Sequence, residues 1–240
     1  MKLIYIYHSC YAIEGDDYTI LIDFYKDQSD VKGRKIVQDI LLNRPGAFYV
    51  LSTHGHSDHF TPEVLSWKIN RPDIHYIFSK DILVDGKASA TDAIYLNKGE
   101  TYQDDLLKIE AFGSTDLGVS FYIEVGGKRI FHAGDLNNWH WNEECSAEES
   151  QEYETNYLNE LELIAKDVTH LNLAMFPVDP RLGKDYMRGA EQFISRIPTD
   201  ILAPMHFDEA YDKAAAFASY AETKNCRSMK WARKGENITF

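Results

Sequence analysis

Apolar and polar positions alternate with a period of two through Leu3–Tyr7, Tyr11–Glu14 and Tyr18–Asp23. Such β-branched and aromatic alternation marks strands, and the turn-forming Gly15-Asp16-Asp17 divides the last two, so the chain opens as an antiparallel meander. The period then changes. Ile36, Val37, Ile40 and Leu41 recur as on one helix face, predicting a helix over Val31–Leu42 that stops near Asn43-Arg44-Pro45-Gly46. Ala47–Thr53 is a short apolar strand. It runs directly into His54-Gly55-His56-Ser57-Asp58-His59, after which Thr61-Pro62-Glu63 predicts a capped helix start. The histidine run therefore lies on a strand-to-helix loop.

Further strands are predicted at Ile74–Phe78, Leu106–Phe112, Val119–Val125 and Lys128–Ala133, the last two joined by the hairpin dipeptide Gly126-Gly127. Ala147–Asp167 reads as a long acidic helix. Asn172–Pro177, Met187–Ile197, Ile201–Met205, Glu209–Glu222 and Asn237–Phe240 then alternate as strand, helix, strand, helix, strand. A meander followed by alternating elements predicts an α/β or α+β layered domain, and 240 residues without a linker or low-complexity segment predict one domain over 1–240.

Three histidines within six positions change the picture, because the whole chain has only nine. In an extended stretch His54 and His56 project to the same side and can share one metal ion. Asp58 and His59 fall where the chain turns into the following helix, and can face a second ion. Asp135 and His206 complete a set of imidazole and carboxylate donors suited to zinc, with manganese or iron also compatible.

The run His54–His59 resembles the signature of metallo-β-lactamase-fold hydrolases. His8-Ser9-Cys10-Tyr11 with Ile20-Leu21-Ile22-Asp23 is similar to the opening hairpin of that superfamily, Phe131-His132-Ala133-Gly134-Asp135 to its strand ending in a bridging aspartate, and Pro204-Met205-His206 to its last ligand strand. The resemblance covers nearly the whole chain. It implies a four-layer αβ/βα sandwich of two mixed sheets flanked by helices. It also implies that His54 and His56 bind a first ion, Asp58, His59 and His206 a second, and Asp135 both. Within the superfamily the chain looks most like the small group that includes ascorbate-6-phosphate lactonase-like proteins.

The pattern departs from the superfamily at one position. A third first-site histidine is expected before the bridging aspartate, and here the chain reads Phe112-Gly113-Ser114-Thr115-Asp116-Leu117-Gly118. The Asp116 carboxylate and the weaker hydroxyls of Ser114 and Thr115 are the near replacements. His132 and His140 are others, His132 reading better as a sheet residue and His140 as either a pocket or a loop residue beside Trp139 and Trp141. His8 and Asp23 read as residues that hold a neighbour in place by hydrogen bond. His75 and His170 read as structural. Arg181 reads as a surface ion pair or as the partner of an anionic substrate group.

The expected reaction is hydrolysis of an ester, lactone, thioester or phosphodiester in a small molecule, by a metal-bound hydroxide that Asp58 orients as the catalytic carboxylate. The alternative is a metal-binding or sensing module of the same fold with little turnover. A net charge of −13 disfavours a nucleic-acid substrate and an anionic membrane surface. A redox role would need a flavin partner, which nothing in the chain supplies. Three scattered cysteines and the lack of a signal-like or membrane-spanning apolar run predict a soluble, cytoplasmic protein.

Overall fold

The computed structural model describes residues 1–240. Its first half forms strands β1 (Lys2–Tyr7), β2 (Cys10–Glu14), β3 (Tyr18–Ile22), β4 (Ala47–Ser52), β5 (Ile74–Ser79) and β6 (Ile94–Leu96). The second half forms β7 (Thr101–Gln103), β8 (Leu107–Phe112), β9 (Ser120–Val125), β10 (Lys128–His132), β11 (Leu171–Pro177), β12 (Thr199–Met205) and β13 (Arg227–Ser228), and β14 (Asn237–Thr239) returns to pair with β1. Two seven-stranded sheets result, ordered β14-β1-β2-β3-β4-β5-β6 and β13-β12-β11-β10-β9-β8-β7. Both are mixed. In each half an antiparallel meander precedes strands that pair in parallel, β3 to β6 in one and β10 to β13 in the other.

Strand periodicity sorts the first sheet's side chains. Leu3, Tyr5, Tyr11, Ile13, Ile20, Ile22, Tyr49 and Leu51 join the core between the sheets, whereas Ile4, Ile6, Cys10, Ala12, Leu21, Phe48 and Val50 join a second cluster under the outer helices. A sheet covered on both faces needs apolar residues at nearly every position, so these strands are near-continuous apolar runs rather than the strict alternation expected from the sequence. The same layering, helix on sheet on sheet on helix, is the predicted four-layer sandwich. On the outside of the second sheet, Ala147–Asp167 starts at a Ser146–Glu149 capping box and buries Tyr157, Leu161, Ile164 and Ala165 while its acidic side faces solvent.

Several elements differ from the sequence-based expectation. Val31–Leu42 is not one helix: a wide turn at Ile36–Ile40 and a tight one at Leu41–Asn43 follow a loop. The Asp30 carboxylate accepts from the amides of Lys32 and Arg34, the Asp27 carboxylate from those of Val37 and Gln38, and Gly33 sits at φ 78°. These side-chain bonds take the donors a regular helix start would use. Thr61 does not cap the next helix, which runs only over Glu63–Ser66 with Pro62 before it. Glu209–Glu222 divides at Phe217 into Tyr211–Ala216 and Ala218–Thr223. The edge strands β6, β7 and β13, of two or three residues each, were not anticipated.

No helix is long and apolar enough to cross a membrane. The three cysteines are unpaired.

Candidate metal centre

The candidate donors come from the carboxyl ends of strands in both sheets. His8 follows β1, Asp23 follows β3 and His54 follows β4, all in the first sheet; Asp135 follows β10, Asp179 follows β11 and His206 follows β12 in the second. Placing ligands outside the carboxyl ends of strands is a general property of layered α/β sheets. The chain turns sharply to present them. His8, Asp23 and His206 adopt left-handed φ values of 55°, 52° and 64°, at a cost of order 1–3 kcal/mol each that is normally retained where it serves a site.

Close packing brings the two halves together. Gly134 has φ 54°, and a Cβ there would lie 2.8 Å from the Thr53 side chain. Gly118 has φ 73°, and its Cβ would lie 2.2 Å from the Thr53 carbonyl. Only glycine lets the segments carrying Asp116 and Asp135 approach the strand that carries His54.

Asp23 sits beneath the site with no exposed surface. One of its oxygens accepts from the Thr53 amide at 2.7 Å, the other from the Thr53 hydroxyl at 2.7 Å and His59 Nδ1 at 2.7 Å. With its proton committed to Asp23, the Thr53 hydroxyl meets His54 Nδ1 at 3.1 Å as an acceptor, which leaves the His54 Nε2 lone pair facing the site. Asp179 does the same for His206, accepting from its Nδ1 at 2.9 Å. Gly55 is held at both peptide groups, by the Asp81 carboxylate and Lys87 Nζ.

The remaining nitrogens and oxygens converge. His8, Asp58, His59 and His206 each offer a donor atom within 4.8 Å of the others', and so do His54, His56 and Asp135. Asp135 faces both groups: its Oδ2 is 3.4 Å from His54 Nε2, and its Oδ1 is 3.1 Å from His59 Nε2 and 3.4 Å from His206 Nε2. Buried Nε2 atoms of His8, His59 and His206, and Oδ1 of Asp135, have no hydrogen-bond partner. Unsatisfied buried polar atoms cost about 1–3 kcal/mol each, so a common partner among atoms gathered this closely stabilises the site. A divalent cation fits, because ligands about 2.1 Å from a tetrahedral ion stand about 3.4 Å apart.

The charges agree with a cation. Burial alone would raise the Asp135 carboxyl, but His59, His206 and His54 hold it well below the usual range. Burial raises Asp58 too, and His8 and His59 more than reverse it. Burial would depress His59, yet Asp135 and Asp23 push it well above an ordinary imidazole. Asp179, opposed by burial, is brought down to about 2 by its bonds to His206 and Arg181. The pocket is built to stabilise positive charge.

Asp116 stands at the rim, half-exposed, with Oδ2 3.7 Å from His56 Nδ1. The other near replacements are committed elsewhere: the Thr115 hydroxyl donates to the Asn137 carbonyl at 2.6 Å, and Ser114 Oγ accepts from the Asp116 amide at 3.3 Å. His132 is a buried sheet residue whose Nε2 donates to the Ser9 carbonyl at 2.9 Å, as its strand position predicts. His140 is buried against the Asp185 carbonyl, outside the cluster. His75 stacks on Tyr49 and His170 pairs with Asp200 at the surface.

Arg181 pairs with Asp179 through Nε at 2.9–3.0 Å and also lines the cavity above the site, in keeping with both of its readings. One residue departs from expectation. His8 enters the donor cluster itself, its ring centroid 4.2 Å from that of His206. Its signals in the sequence are a histidine at the end of an otherwise apolar strand and its place in the His8-Ser9-Cys10-Tyr11 resemblance. Above the donors opens a cavity of about 350 Å³ walled by Trp139, Trp141, Tyr153 and Arg181.

A profile described as the beta-lactamase superfamily domain matches residues 2–151. A protein called UPF0173 metal-dependent hydrolase from Thermoplasma volcanium is 25% identical over 222 residues, spanning 87% of this chain and 84% of its own. One of the same description from Thermoplasma acidophilum is 24% identical over 221 residues, with 87% and 84% covered. Among solved structures, Igni18, a metallo hydrolase from Ignicoccus hospitalis, superposes with TM-score 0.68 at 20% identity over 100% of this chain and 97% of that one. The diiron β-hydroxylase CmlA from Streptomyces venezuelae superposes with TM-score 0.69 at 15% identity over 100% of this chain and 54% of its own. At these identities the structural likeness is one of fold.

Proposed function

The chain belongs to the beta-lactamase superfamily, and from that premise we propose that it is a metal-dependent hydrolase of a small molecule carrying an ester, lactone, thioester or phosphodiester bond. One observation carries the reading: the buried, partnerless Nε2 atoms of His59 and His206 and Oδ1 of Asp135 converge beside a second group of donors at the floor of a cavity. His54, His56 and Asp135, with Asp116 at the rim, would hold one ion. Asp58, His59 and His206, sharing Asp135, would hold the other. Zinc, manganese and iron all suit such nitrogen and oxygen donors. The descriptions of the Thermoplasma relatives as metal-dependent hydrolases support the same class.

When bound, the metal supplies Lewis acidity and a water acidified towards neutral pH. The chain's own groups supply the rest. Asp58 is ionised at neutral pH and its side chain is about one-third exposed (35%), so its carboxylate can orient the attacking water. Asp23, Thr53 and Asp179 fix the imidazole orientations. Arg181, already neutralised in part by Asp179, turns its exposed edge to the cavity and would meet an anionic group of the substrate. Trp139 and Trp141, stacked with planes 13° apart, give an apolar wall. A lactone bearing a phosphate, the class suggested by the resemblance to ascorbate-6-phosphate lactonase-like proteins, would match a cationic edge beside an apolar wall.

The gap at the first site favours a second reading, in which one ion is bound firmly and the protein senses a ligand with little turnover. The test is hydrolysis of lactone, thioester and phosphodiester probes by the metal-loaded protein and by Asp58→Ala. Turnover of one class, lost in the variant, is expected. No turnover of any probe by a protein with its full metal complement supports the sensing reading instead.

A further inference from the structure

The second metal group contains a donor beyond those the superfamily resemblance supplies. His8 lies on the turn between β1 and β2 and is 5% exposed. Its Nε2 is 3.3 Å from Asp58 Oδ2, has no hydrogen-bond partner, and falls within 4.8 Å of the donor atoms of Asp58, His59 and His206. Its other nitrogen is 2.8 Å from the Asp208 carboxylate, which can only accept, so Nδ1 carries a proton and Nε2 is the atom turned to the site.

That arrangement repeats one seen twice in the same site. His59 gives Nδ1 to Asp23 and His206 gives Nδ1 to Asp179, each leaving Nε2 free and buried. A carboxylate on the far nitrogen is the general means by which a metal-ligating histidine is fixed in tautomer and orientation. The backbone builds the third copy deliberately. His8 and His206 both take left-handed φ, the His206 amide donates to the His8 carbonyl at 3.4 Å, and the His8 amide donates to Tyr5 Oη at 3.2 Å. A mere packing histidine would have both nitrogens satisfied, as His132 does between the Ser9 carbonyl and the Gly134 amide.

We propose that His8 is a ligand of the second ion, making that centre a three-histidine site with Asp58 and Asp135. This rests on the metal-centre reading above and names a member of it. Five protein donors also describe an ion of five- or six-fold coordination, whereas the set without His8 gives four.

The test measures metal affinity and coordination rather than turnover. Wild type, His8→Ala, His8→Gln and Asp208→Asn would be titrated with Zn2+ by calorimetry and loaded with Co2+ for visible absorption, with circular dichroism confirming the fold. His8→Gln keeps volume and polarity if the alanine variant folds poorly. Both His8 variants should weaken one ion by at least about 100-fold and intensify the Co2+ bands as coordination number falls. Asp208→Asn should weaken it by about 10–100-fold, the effect of losing a carboxylate behind a ligand, with little spectral change. A folded His8→Gln that binds Zn2+ within about two-fold of wild type, with an unchanged Co2+ spectrum, overturns the assignment while leaving the metal centre intact. A wild type that binds no metal overturns both.

Discussion

Asp23 and His59 form a fully buried pair, the Asp23 carboxylate accepting from His59 Nδ1 at 2.7 Å with neither side chain exposed. The same carboxylate reaches His54 through the Thr53 hydroxyl. One residue thus aims donors of both proposed sites. Asp23→Asn keeps the shape but sets an amide against an imidazole N–H. It should cost about 3 kcal/mol of stability, as breaking a buried charged pair does, and about 10–100-fold in metal affinity. Urea unfolding and metal titration check the two; a variant with wild-type affinity would show that Asp23 orients nothing.

The glycine contacts make a purely structural prediction. Gly134→Ala forces a Cβ to within 2.8 Å of Thr53 at a left-handed φ. Strain of that kind costs about 1–3 kcal/mol, and relief of it displaces Thr53, hence His54. Thermal unfolding should show the loss and metal titration a weaker first site; an unchanged Tm would refute the close approach.

Metal removal should destabilise the fold itself. Asp23, Asp58, Asp135, Asp179 and Asp208 all border the donor cluster, and without an ion their charges face one another across buried histidines. An ion at 1,000 times its Kd stabilises the native state by about 4 kcal/mol. Chelator should therefore lower Tm, and stoichiometric metal should restore it. Equal Tm in both conditions would contradict this.

Much of this was legible in the sequence, for identifiable reasons. The strand runs of β1 to β5 and the long acidic helix at Ala147–Asp167 are local signals that tertiary packing reinforces. The metal donors His54, His56, Asp58 and His59 are adjacent in sequence, and the structure groups them with Asp135 and His206. His8 and Asp208 were not legible as donor and support, because 200 residues separate them and only the packing of β1 against the end of β12 brings them together. The Val31–Leu42 helix failed because Asp27 and Asp30 take up the amides, a competition that apolar spacing does not report.

A pH dependence is expected away from the site. The Asp104 carboxylate accepts from Tyr49 at 2.7 Å, Tyr102 at 2.9 Å and the amides of Leu106 and Leu107. Burial opposes its ionisation, but these bonds win and lower its pKa. A lowered native value adds stability that is fully present above the unfolded pKa of about 3.9 and lost as pH falls through the native one. After discounting for solvent screening, Asp104→Asn should cost roughly 1 kcal/mol at pH 7. The gap to wild type should close below about pH 4. Urea unfolding of the two chelated proteins at both pH values measures it; a gap independent of pH would remove the ionised Asp104 from the account.

Arg181→Ala should raise KM for an anionic substrate by about 10-fold or more, since the guanidinium lines the cavity, and should lower kcat as well, since it also holds Asp179 beside His206. An equal effect on a neutral analogue would assign Arg181 to holding Asp179 alone.

The central claim is that these side chains form a divalent metal centre, and the most direct measurement is elemental analysis of the purified protein after reconstitution, beside Asp116→Ala. The account predicts about two ions per chain in wild type, the number a bridging carboxylate serves, falling towards one in the variant. A well-folded wild type that retains no zinc, manganese or iron would contradict it.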